Sequence, residues 1–222
     1  MNKNLQMSET FFLGALLTIT GGFLDAYTYL LRGNVFANAQ TGNIVLLGVH
    51  LAKGEINHAL FYLLPILAFV LGILICELFR KKFQQSTRFH WRQWIVALEI
   101  ILLFITGFLP SGALDSIVNI TISFICAMQV QCFQKINGNA FATTMCTGNL
   151  RAGTDALFQF MQTRDTALGK KSIQYYSIIV FFILGAALGV LAIQLAGIHS
   201  VWFCCVFLAA VFALMFFQPT NT

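Results

Sequence analysis

Apolar residues run along this chain in eight nearly continuous stretches, roughly 11–31, 35–52, 59–79, 94–109, 113–134, 140–161, 173–197 and 200–217. Most approach the roughly 20 residues that an α-helix needs to cross a bilayer. They lack the alternation of transmembrane β-strands about ten residues long. Polar connectors fall at 53–57, 80–92 and 163–171. The pattern predicts an all-α membrane protein, a helical bundle forming a single membrane domain over 1–222.

The polar interruptions repeat. Gly33-Asn34-Val35-Phe36-Ala37, followed by Thr41-Gly42-Asn43, returns as Gly138-Asn139-Ala140-Phe141-Ala142, followed by Thr147-Gly148-Asn149. In both halves a helix precedes the motif, and a long helix and then a helix with an early Trp (Trp94, Trp202) follow it. The order predicts two internal repeats, 10–110 and 111–218. Duplicated, Gly-interrupted segments in an apolar chain mark transporters and channels built from two halves.

Charge chooses between two topologies. If all eight stretches span, Lys and Arg divide almost evenly between the two sides. If the Thr-Gly-Asn segments enter and leave on one side, about six full spans remain, plus two broken or half-crossing helices. Lys3, Arg80, Lys81, Lys82, Arg88, Arg92, Lys135, Arg164, Lys170 and Lys171 then share one face, against Arg32 and Lys53. The positive-inside rule favours the second arrangement, with both termini cytoplasmic and the repeats inverted; eight full spans is the alternative.

Composition narrows the class further. The chain is 58% hydrophobic and 9% charged, with mean hydropathy +0.79. Soluble domains carry about 25% charged residues, so this chain cannot cover a water-facing surface and its principal partner is the lipid bilayer. The net charge of +5 fits basic cytoplasmic loops, and no nucleic-acid motif accompanies it. The six cysteines fall in apolar stretches and the four histidines near segment ends, without metal-ligand spacing, so neither a metal nor a cofactor is expected. No nucleophile–base pair, phosphate loop or paired carboxylate suggests an enzyme.

Gly22-Phe23-Leu24-Asp25-Ala26, Val35-Phe36 with Thr41-Gly42-Asn43, and Thr147-Gly148-Asn149 carry a resemblance to the YoaK-like (DUF1275) family of bacterial multi-pass membrane proteins. It covers nearly the whole chain and implies a bacterial inner (plasma) membrane location without naming an activity. Similar proteins tend to show Gly and then Gln-Asn-Ala after the Ala-Met pair; here Ala127-Met128 is followed by Gln129-Val130-Gln131-Cys132, so the Asn is absent.

Asp25 is the leading candidate for chemistry. An acid at membrane depth costs roughly 2.5–3.5 kcal/mol, so it needs a partner, water or a proton. Gly14, Thr18, Gly21, Asp25, Thr28 and Arg32 share one helix face. Asp25 either binds H⁺ or Na⁺ or caps amides freed at the Gly33-Asn34 break. Asn34, Thr41, Gly42, Asn43, Asn139, Thr147, Gly148 and Asn149 would line a site between the two breaks or, alternatively, pack helices closely. Gln131 falls opposite Asp25 when the Thr-Gly-Asn tripeptides are superposed, within a stripe running from Asn119 through Ser123. Arg151 and Asp155, at i and i+4, read as a gate or an ion pair. Glu77 and Glu99 lie near segment ends beside basic residues, where interfacial pairing would satisfy them. Gly185-x-x-x-Gly189 and Ala68-x-x-x-Gly72 are close-packing pairs, within the bundle or in a homodimer. The residues together predict a small transporter or permease for an unidentified small solute. A scaffold or sensor is the alternative, and a lipid-modifying enzyme a weaker one.

Overall fold

The computed structural model describes residues 10–83, 91–136, 139–140 and 146–216. Eight α-helices account for nearly all of them: α1 Phe11–Leu31, α2 Gln40–Ala52, α3 Ile56–Phe83, α4 Trp91–Thr106, α5 Asp115–Cys132, α6 Cys146–Thr163, α7 Thr166–Ala196 and α8 Trp202–Leu214. Two-residue strands, Lys135–Ile136 and Asn139–Ala140, pair between α5 and α6. The chain is an all-α membrane protein. Among the described residues four stretches are long and apolar enough to cross a bilayer: α1, α3, α5 and the run from Thr166 to Leu214. That last run contains both α7 and α8, which a turn at Gly197 (φ 56°) separates.

Local chemistry sets the helix limits. Thr10 caps α1 and Asp165 caps α7, its Oδ1 accepting from the Ala167 amide at 2.9 Å. Gly33 (φ 81°) and Asn34 (φ 58°) stop α1 in the left-handed region that these two residue types tolerate.

Small residues decide which helices touch. Gly22 lies against the Phe182 carbonyl, Gly185 against Ile19 and Gly189 against Phe23, so α1 and α7 run parallel in close contact. Gly72 meets Phe124 on α5, and the Cys76 thiol donates to the Met128 carbonyl at 3.6 Å, which makes α3 and α5 parallel too. The small-residue pairs are therefore used inside the bundle, which removes the argument that they build a homodimer.

α1 and α5 cross in opposite directions. Asn119 Nδ2 donates to the Arg32 carbonyl at 2.7 Å, and Gln129 Nε2 to the Leu17 carbonyl at 3.2 Å. α4 and α8 are also antiparallel, with Trp202 Nε1 on Phe104 O and Cys205 Sγ on Ile100 O. One end of the bundle therefore collects Arg80–Lys82 with the start of α7, including Lys170 and Lys171. The other holds the start of α3, the α4–α5 turn and the start of α8.

Candidate functional site

The chain between α1 and α2 does not stay at the end of the bundle. From Arg32 it turns back inward, and α2 begins level with the middle of α5, where Gln40 Nε2 lies 3.3 Å from Ser123 Oγ. At 13 residues α2 is about 20 Å long by the helical rise, short of the roughly 30 Å hydrocarbon core.

A dense set of hydrogen bonds holds this re-entrant segment. Ser123 Oγ and Gln40 Nε2 each donate to the Ala37 carbonyl at 2.8 Å. The Ala37 amide donates to Thr28 Oγ1 at 3.3 Å. Asn43 Nδ2 donates to the Phe36 carbonyl at 2.8 Å and to Gln40 Oε1 at 3.0 Å. Asn119 and Ser123 thus serve as interhelical ties.

Asp25 stands at the centre of this arrangement. Its Oδ1 accepts from the Asn38 amide at 2.8 Å, and the carboxylate also takes the Ala39 amide. Ala39 is the cap residue of α2 and Asn38 immediately precedes it, so the carboxylate sits at the helix N-terminus, whose partial positive charge suits an anion. Asp25 caps a helix that starts inside the membrane.

The same carboxylate lines a cavity of about 730 Å³. Thr41 from the start of α2 and Thr147 and Gly148 from the start of α6 also line it, beneath Tyr29 and Phe36, whose rings stack at 4.7 Å. α2 leaves this cavity toward one end of the bundle, where His50 stacks on Tyr62 near the start of α3. α6 leaves toward the other, where Ser172 Oγ donates to the Gly153 carbonyl at 2.8 Å and Phe160 packs beside Gly169. Two helix N-termini and one acid therefore share a space of the size that holds small molecules, roughly 300–1,000 Å³.

Tyr29, Asn38, Gln40 and Cys146 also line the cavity and were not expected from the sequence, and Asn38 stands out among them. It is 4% exposed, and neither its Nδ2 nor its Oδ1 has a hydrogen-bond partner. A buried amide with nothing to bond is costly, by about 1–3 kcal/mol per unsatisfied group, unless water or a ligand meets it. Its place between Phe36 and the first Thr-Gly-Asn was the available signal.

Other expected positions fall elsewhere. Asn34 is exposed in the turn that ends α1. Gly42 packs beside the Phe36 ring, while Asn43 and Asn149 are buried without lining the cavity. Gly138 and residues 141–145 lie outside the described residues, as does the Asn139 side chain.

Three expectations are corrected. Gln131 does not face Asp25: it donates to Glu77 Oε1 near the far end of α3, and Glu77 pairs with Arg80 Nη2 at 2.6 Å. Superposing the tripeptides assumed equal connectors, yet 133–145 is longer than 32–39. Arg151 and Asp155 form no ion pair: both are exposed, and Asp155 Oδ2 accepts from Gln159 at 2.9 Å. Glu99 is not interfacial: it lies mid-way along α4, 1% exposed, with Oε1 lacking a partner.

Arg32, expected at the membrane surface, is completely buried. It pairs with Asp115 Oδ1 at 3.2 Å and donates to the Leu109 and Pro110 carbonyls at 2.9 and 3.0 Å. Tyr27 Oη accepts from its Nη2 at 2.7 Å. This network ties the end of α1 to the α4–α5 turn.

Helices too apolar for a water-facing surface, gathered around a largely apolar, partly open cavity at the starts of α2 and α6, define a multi-pass membrane protein. Residues 13–214 match the family described as "Protein of unknown function (DUF1275)", and the chain belongs to that family. It is similar to the UPF0700 transmembrane protein YoaK of Bacillus subtilis (strain 168), 29% identical over 142 residues. That match covers 61% of this chain and 62% of the relative, so it spans less than two thirds of either. No solved structure matches.

Proposed function

We propose that the protein is a small inner-membrane transporter for an unidentified small solute, working through the cavity at Asp25. The observation that carries this reading is the pairing of Asp25 with Asn38. The Asp25 carboxylate, held by two backbone amides, and the Asn38 side-chain amide, which has no hydrogen-bond partner, face one cavity beside the hydroxyl-bearing starts of α2 and α6. Polar groups at membrane depth are tolerated where they line a cavity, and unsatisfied ones call for water or solute. The capping role of Asp25 is compatible with this, since its hydrogen bonds hold the acid where the cavity reaches it. H⁺ or Na⁺ is the coupling ion that suits such an acid.

Two inverted repeats fit the packing. Exchanging α1–α4 with α5–α8 turns the α1–α7 contact into α5–α3, α2–α3 into α6–α7 and α1–α8 into α5–α4, and all of these contacts occur. α1 and α5 run oppositely, as inversion requires. The six-span arrangement then puts Arg80–Lys82, Arg164, Lys170 and Lys171 on the cytoplasmic side together with both termini. The two cavity-lining breaks lead to opposite faces, the geometry needed for alternating access.

The test is access to the cavity from both sides. In a variant stripped of native cysteines, Thr41→Cys and Thr147→Cys should react with small, membrane-impermeant thiol reagents added to opposite faces of oriented vesicles. Labelling one position should block a solute current measured on a solid-supported membrane. If neither thiol reacts, or both react without affecting any current, the cavity is not a pathway and a scaffold or sensor role takes precedence.

A further inference from the structure

The corner between α2 and α3 gathers two imidazoles and a carboxylate that the transport reading leaves unused. His50 lies in the last turn of α2, Glu55 follows the Gly54 turn (φ 72°), and His58 lies in the first turn of α3. The turn is closed by the Glu55 amide, which donates to the His50 carbonyl at 2.9 Å. His50 Nδ1 and Glu55 Oε2 are 2.5 Å apart. The His50 and His58 rings lie 5.2 Å apart and 24° from parallel, and His50 also stacks on Tyr62 at 5.4 Å. One ligand atom from each of the three residues falls within 4.8 Å of the others.

We propose that His50, Glu55 and His58 bind a divalent cation of the imidazole-preferring class, Zn²⁺ or Ni²⁺, at the end of the bundle opposite Arg80–Lys82. Two imidazoles and a carboxylate form a nitrogen-rich donor set that suits these ions and disfavours Ca²⁺ and Mg²⁺, which prefer all-oxygen shells. In tetrahedral zinc, ligand atoms stand about 3.3 Å apart, given bonds of about 2.0–2.1 Å. The widest pair of ligand atoms therefore closes by about 1.5 Å, the His50–Glu55 pair opens by about 0.8 Å, and the stacked rings turn so that their in-plane lone pairs meet at one ion. Glu55 and His58 are exposed and sit beside a Gly turn, which leaves them free to make these moves. The ion displaces the proton between His50 and Glu55, and a fourth position stays open to water. The last carbonyls of α2 add partial negative charge, while the charge of Lys53 opposes it.

Metal binding needs a rigid corner more than a reactive one. Tyr62, 8% exposed, stacks on the His50 ring, and the α2–α3 contact fixes both helices. The site lies at the opposite end of α2 from the cavity, so it can sense or scavenge an ion without touching the pathway.

Co²⁺ titration of the full-length protein in detergent, read by visible absorption with Zn²⁺ as competitor, tests the proposal. One Co²⁺ per chain should bind with nitrogen–oxygen ligand-field bands and no sulfur charge-transfer band. His50→Gln, Glu55→Gln and His58→Gln should each weaken binding by at least 10-fold. They should also abolish the rise in melting temperature that Zn²⁺ gives the parent protein. His199→Gln, which removes a ring bonded to the Gly107 carbonyl instead, should bind as the parent does. A thiolate band, equal loss in His199→Gln, or unchanged affinity in the three variants would assign the ion to cysteines or to nonspecific contacts, and overturn the site.

Discussion

Replacing Asp25 by Asn and by Ala separates the cap from the charge. Asn keeps an oxygen where Oδ1 now accepts from the Asn38 amide at 2.8 Å, and it fits the same space. It loses charge assistance, which about doubles a hydrogen bond of roughly 0.5–1.5 kcal/mol, but it also removes a buried charge. The two changes oppose one another, so the net cost should stay within about 1 kcal/mol. Ala removes the acceptor of two amides at the start of α2. Each unsatisfied buried amide costs about 1–3 kcal/mol, giving roughly 2–6 kcal/mol for the two when cavity water rescues neither. For a chain of this size, with about 2–4 °C per kcal/mol, Asn should shift the melting temperature by less than about 4 °C and Ala by about 4–24 °C. A thermal melt of detergent-purified protein measures both. Solute current should disappear in the Asn variant although it stays folded. If Asn destabilises as much as Ala, the charge itself holds the fold. If Ala is harmless, Asp25 is not a cap, and the reasoning about the re-entrant segment fails.

Further outcomes follow from the packing. Gly185→Val would drive side-chain atoms into the Ile19 backbone, where nothing flexible can yield, and should cost at least about 1–3 kcal/mol and loosen α1 from α7, detectable as loss of a cysteine crosslink between positions 15 and 181. Arg32→Met should cost about 3–5 kcal/mol by leaving Asp115 unpaired, and Asp115→Asn added to it should recover part of the loss in the same melting assay. Glu99→Gln should leave the melting temperature unchanged or raised, because the buried carboxyl has no described cationic partner to lose.

Elements with a local signal were legible in the chain. α1 begins and ends where its apolar run does, and the glycines at 72, 185 and 189 pack as their spacing implied. The re-entrant start of α2 and the capping role of Asp25 could be read because a Gly-Asn pair interrupts the helix beside a lone acid. What could not be read depends on partners distant in sequence. Arg32 looks interfacial until the α4–α5 turn folds over it, and Glu99 looks paired until α4 turns it inward. Gln131 looked equivalent to Asp25 only because its connector length was unknown. His50 and His58 seemed scattered because a corner between two helices, rather than one helix face, brings them together.

The two long helices have a bearing on which membranes suit this protein. At 28 and 31 residues, α3 and α7 measure about 42 and 46 Å, against roughly 30 Å of hydrocarbon. They outreach α5, with 18 residues, so the bundle cannot match one thickness along its whole perimeter. The surplus of α3 carries the α2–α3 corner, and that of α7 carries the far end of α6. A lipid annulus of uneven height would result, with tilt or local thinning beside the shorter helices. Acyl-chain length thus becomes a lever on how far α2 and α6 stand from the cavity they begin in, and so on how readily that cavity opens.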